Sequence, residues 1–251
     1  MALSPAWSQE VEQIEVPISN PGEPGYLHLS NHNGTITIKG YNGNSVKVKI
    51  TSSKDKKDKG KNKYGLKRID KQASNVSITE DQNEVSINTG NNSRMDFEIE
   101  VPMNFSLNLS THHNGDVEVR NVNGVHEVDS HHGGIALYDV SGTVVADTHH
   151  GSIKVTFDQV EKGLPMAFST YHGNVDITFP SSVRSDLKMK SDKGDIFTDF
   201  DFEPVKPEIE HSNKGSKKEI KLSGWTHGRL GGGGEEMLFK TYHGDIIIRK
   251  G

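Results

Sequence analysis

The chain has 251 residues and a net charge of −5, with 26 Gly, 9 Pro and no Cys. An acidic balance gives no electrostatic case for a nucleic-acid partner. The missing cysteines exclude disulfides and thiolate metal sites.

Residues 1–8, Met-Ala-Leu-Ser-Pro-Ala-Trp-Ser, read as a signal-peptide remnant or a disordered terminus. No stretch of about 18 apolar residues follows, so no transmembrane helix is expected. Val11 to Ile18 alternate, and Asn20-Pro-Gly-Glu-Pro-Gly25 forms a turn. A first rung comes next, Tyr26 to Asn33, Gly34, then Thr35 to Ile38.

Residues 54–68 carry eight basic and two acidic side chains and almost nothing to bury. They read as a solvated loop inserted between strands. A site for an anionic glycan or phospholipid is the alternative. Strands resume at Asn75–Ile78, Glu84–Ile87 and Met95–Val101.

The organising stretch is 106–157. Gly115, Gly124, Gly133, Gly142 and Gly151 recur every nine residues, and Asn, Ser or His precedes each. Nine residues make one short strand and one tight turn. Two such units close a coil that can bury its apolar face only against its neighbours. Later rungs centre on Gly173, Gly194 and Gly244, and residues 201–235 break the spacing as an irregular insertion.

The expected fold is all-β. It is a single β-solenoid domain over 9–251, a right-handed β-helix or β-roll with about 18–22 residues per coil.

Aligning rungs on their glycine predicts the facing. Two residues on stand Ile36, Val117, Ile135, Ile153, Val175, Ile196 and Ile246. Four on stand Ile38, Val119, Leu137, Val155, Ile177, Thr198 and Ile248. Both columns point inward. Three residues before the glycine, Ser130, Thr148, Thr170, Ser191 and Thr241 should bond the turn backbone.

Two positions before, His113, His131, His149, Tyr171 and Tyr242 face out as a candidate ligand-binding surface. One position before, His132, His150, His172 and His243 are candidate metal ligands. Rungs about 4.7–4.9 Å apart would let imidazoles of neighbouring rungs share an ion. The competing reading is that His substitutes for Asn in a left-handed turn, as Asn33 and Asn114 suggest.

No nucleophile elbow and no His-Glu-x-x-His is present. Asp116, Asp195 and Asp245 follow the turn glycines, where Ser152 and Asn174 also stand, which suits a turn exit. No enzyme activity is expected. No cofactor is expected either, beyond weakly bound zinc, nickel or copper.

The opening Asn20-Pro-Gly-Glu-Pro-Gly-Tyr-Leu-His-Leu, the Asn33-Gly-Thr-Ile-Thr-Ile-Lys-Gly40 rung and the close Phe239-Lys-Thr-Tyr-His-Gly-Asp-Ile-Ile-Ile-Arg-Lys250 are distinctive. They resemble the bacterial "putative adhesin" β-strand-repeat family, a domain of unknown function. The resemblance implies a β-solenoid, export to the periplasm or cell surface, and a non-catalytic role.

The expected function is therefore a rigid exported surface that binds a glycan or a cell-envelope protein. The alternatives are a periplasmic divalent-metal scaffold and a polysaccharide-acting solenoid enzyme. Because the last rung closes at Ile248, its edge is expected to lie open and to support an end-to-end homodimer.

Overall fold

The computed structural model describes residues 10–53, 76–90, 94–206, 209–214, 217–222 and 224–251. The terminal segment 1–8, the basic loop 54–68 and parts of the 201–235 insertion lie outside these residues. Every regular element among the described residues is a strand. Among them no helix is long and apolar enough to cross a membrane.

Alternation dictates this. Phe105–His113 buries every second side chain from Phe105 to Thr111, and Val175–Phe179 buries Val175, Ile177 and Phe179. β-Branched and aromatic residues at period two fit a pleated surface with one dry face. Among the described residues twenty strands join into one sheet, which folds back so that its two walls bury a common core.

One wall carries the expected column. Ile36, Val117, Ile135, Ile153, Val175 and Ile246 are successive partners in parallel strands, each 0–1% exposed. Ile196 follows on the far side of Ile246. The opposite wall stacks Leu29, Leu109, Val128 and Ala146, then Phe168, Phe239 and Met189. Burying each such aliphatic is worth roughly 1.5–3 kcal/mol, and the column gains it only in register.

The stacking order departs from chain order at both ends. Near the start, Leu27 faces Val85 on one side and Leu107 on the other. Residues 84–89 and 94–102 therefore lie outside the 25–41 rung, although they come later. At the other end, Met237 faces Met166 on one side and Leu187 on the other. The chain lays down 166–179, passes on to 185–198, and returns to fill the space between them with 236–250.

This corrects the expectation of an open last edge. Glu236–His243 and Ile246–Lys250 are paired on both sides. The described margins are the short parallel strand Ile196–Thr198, set against Ile246–Lys250, and three antiparallel strands. Glu10–Pro17 lies against Ser45–Ser53, Val76–Asp81 against Glu84–Thr89, and Phe202–Val205 against Thr226–Leu230. Glu12 and Glu15 on the first, and Pro204 on the last, are residues that discourage further pairing. The insertion is also more regular than its composition suggests. It contains an antiparallel hairpin, Ile209–Lys214 with Lys217–Leu222.

Candidate functional site: a double ladder of rings

The site is built on glycine. Where each rung turns from one wall to the other, its glycine lies against the turn below. A Cβ on Gly133 would come within 2.1 Å of the Gly115 carbonyl oxygen, and one on Gly151 within 2.2 Å of that of Gly133. Gly173 and Gly244 repeat the contact. Only a residue without a side chain lets these turns stack so closely.

The buried hydroxyls lock the stack, as their position predicts. Thr148 Oγ1 donates to the Gly133 carbonyl at 2.8 Å, Thr170 to Gly151 at 2.8 Å, and Thr241 to Gly173 at 2.9 Å. The acidic column after the glycines has a comparable duty. Asp116 Oδ1 accepts the Gly134 N–H at 2.7 Å, and Asp245 Oδ1 accepts the Asp195 N–H at 2.9 Å. Those carboxylates serve the backbone of the next rung.

Two columns of rings ride on this frame. The outer one runs His32, His112, His131, His149, Tyr171, Tyr242, with centroids 5.5, 4.8, 5.2, 5.1 and 4.8 Å apart. The inner one runs His113, His132, His150, His172, His243, at 5.7, 5.1, 5.0 and 4.8 Å. All nine contacts are face to face. His131, His149, Tyr171 and Tyr242 thus share one column, and His132, His150, His172 and His243 the other.

His113 stands elsewhere than its spacing from glycine implies. Asn31 pairs with Thr111 and Asn33 with His113, so the 105–115 rung holds one extra residue before its turn. Asn114 absorbs it at φ 48°. His112 takes the outer place and His113 the inner one.

The geometry also decides what the rings can offer. Interior rings cover each other's faces and present their edges, which carry nitrogens and hydroxyls. Within each column, rings of neighbouring rungs lie within 23° of parallel. Their nitrogens therefore aim side by side and do not converge on a shared ion. Within a rung the rings meet edge to face, at 4.3 Å and 68° for His131 and His132. His131 Nδ1 lies 2.8 Å from His132 Nδ1, and His132 Nδ1 lies 3.3 Å from the His112 carbonyl oxygen. A carbonyl only accepts, so that second contact places the proton on His132 Nδ1. Among the described residues no group of three or more metal-ligating side chains is assembled.

Desolvation, then the neighbouring imidazoles, holds His113, His131 and His150 below the usual histidine pKa. Beside the outer column, burial and then Asp147 push the Asp129 carboxyl up, while His131 and His112 oppose the shift. Asp129 lines an open polar cleft of about 420 Å³ with Ser30, His32, Asn88, Ser110 and His112.

His126, which the periodicity did not single out, points into the core between Leu107 and Val144. It is 0% exposed. Nε2 lies 3.2 Å from the Val122 carbonyl, Nδ1 has no partner, and desolvation lowers its pKa to about 4.

Residues 115–224 match the model of the family described as Toastrack DUF4097. The matched span takes in most of the repeat array and runs on into the insertion that follows it. No curated protein matches the chain. Among solved structures, a "putative cell adhesion protein" from Clostridium sporogenes ATCC 15579 is 13% identical with a TM-score of 0.49. That alignment covers 97% of this chain and 100% of the other. A "putative adhesin" from Bacteroides fragilis NCTC 9343 is 12% identical with a TM-score of 0.46, over 96% and 98% of the two chains.

Proposed function

We propose that this protein is an exported, non-catalytic scaffold, a right-handed solenoid of about 18–22 residues per coil, that binds an extended glycan along its outer ring column. The observation that carries the reading is the unbroken run from His32 to Tyr242, a straight edge of ring nitrogens and hydroxyls on a rigid frame. Hydroxyls and carboxylates flank it. Ser30, Ser110, Asp129 and Asp147 are successive partners on the adjoining outward row. A row of donors and acceptors of that kind meets the hydroxyls of a polysaccharide repeatedly, so weak contacts sum along the chain. The family resemblance supports export and a binding role.

A glycan microarray with the full chain tests the reading, alongside a Tyr171→Ala/Tyr242→Ala variant. Both tyrosines project from the frame, Tyr171 at 42% exposure, so the variant should fold. Binding to a defined set of polysaccharides that weakens in the variant is expected. An array with no signal overturns the proposal.

A further inference from the structure

The histidine-rich middle of the ladder carries a second inference, which needs a different ligand from the glycan reading and draws on both ring columns. We propose that His131 and His132 form a two-nitrogen chelate for a square-planar divalent ion, copper(II) above all. His112 with His113, and His149 with His150, repeat it on the rungs to either side.

The argument begins with direction. Stacked rings of neighbouring rungs send their nitrogens out in parallel, and an ion midway between two such rings would sit off both lone pairs. His131 and His132, on one rung, stand edge to face and bring their Nδ1 atoms to 2.8 Å. At metal–nitrogen distances of 2.0–2.1 Å, neighbouring corners of a square lie about 2.9 Å apart, and those of a tetrahedron about 3.3 Å. The observed separation matches the square and is short for the tetrahedron. Square-planar nitrogen and oxygen sites suit copper(II) and nickel(II), and copper stands highest in the affinity order of divalent ions.

The other requirements are met by the same residues. The ion takes the place of the proton that His132 Nδ1 now donates toward His131 Nδ1. That proton moves to Nε2 of His132, so both imidazoles stay neutral and charge balances. The His112 carbonyl, 3.3 Å from His132 Nδ1, is an oxygen donor beside the pair, and solvent supplies what remains. The ring pairs His112/His113 and His149/His150 have the same 4.3 Å spacing, at 82° and 83°. Tyr171 and Tyr242 replace the outer histidine farther along, so the chelating pairs end there.

The test is a titration of the full chain with copper(II), followed by calorimetry and by electron paramagnetic resonance. A variant with His113, His132 and His150 all changed to Asn keeps turn-compatible residues, since Asn33 holds the equivalent place in the first rung. The wild type should take up at least one equivalent of copper. Its axial signal should be split by two nitrogens. The variant should bind at least about tenfold more weakly at an unchanged melting temperature. Tyr171→Ala/Tyr242→Ala should bind copper as the wild type does, which separates this proposal from the glycan reading. Equal uptake by the histidine variant, no uptake by the wild type, or zinc competing on equal terms overturns it.

Discussion

Met237 faces Met166 across a parallel pair, although the chain lays down Leu187 first and then seats Leu187 on the far side of Met237. The last segment is thus a keystone between two earlier rungs. Phe239 sits at its centre, fully buried and stacked on Phe168 at 5.2 Å. Phe239→Ala should cost about 3–5 kcal/mol. Hydrogen exchange should quicken together in 166–179 and 185–198. Loosening confined to 236–250 would contradict the keystone role.

The hydroxyl column makes a sharper prediction. Thr148→Val keeps shape and removes the bond to the Gly133 carbonyl. The loss should be about 1–3 kcal/mol, because a buried acceptor is left without a partner. Gly133→Ala should cost a similar roughly 1–3 kcal/mol by overpacking against the Gly115 carbonyl. Denaturant midpoints measure both, and a neutral Thr148→Val would show that the hydroxyl is dispensable.

His126 should make the protein acid-labile. Its folded pKa of about 4 lies below the ordinary 6.5, so the unfolded chain takes up the proton first. Its contribution is fully present above pH 6.5 and is lost as pH falls from there through 4. The full loss is about 3 kcal/mol, at 1.36 kcal/mol per unit. Among the ladder residues, the depressed His113, His131 and His150 act in the same direction. His126→Leu should melt higher than wild type at pH 4.5, by a wider margin than at pH 7.5. A constant margin across that range would remove His126 as the cause.

The glycine interval made much of this legible from sequence. It predicts the stack of Ile36, Val117, Ile135, Ile153, Val175 and Ile246, and it predicts that Thr148 and Thr170 bond the turns. Counting back from glycine misplaced His113 because a fixed interval cannot register the single extra residue that Asn114 absorbs. The order of the end rungs was hidden for a different reason. Every rung offers the same inward aliphatics, so Ile246 fits against Val175 or Ile196 equally well, and only the closed structure shows that it meets both. His126 escaped notice because its neighbours Glu127 and Asp129 read as an exposed strand, while Val128 two residues on shares its inward face.

The most direct test of the binding account is the dependence of affinity on ligand length. The outer column measures roughly 25 Å from His32 to Tyr242, by its five ring spacings. Calorimetry with a size-graded series of oligosaccharides, taken from a polysaccharide that binds on the array, reads this out. Affinity should climb with each added sugar until the chain spans that length, and then level off. A monosaccharide that binds as tightly as the longest oligomer, or a series in which no member binds, would contradict an edge that grips its partner along its whole run.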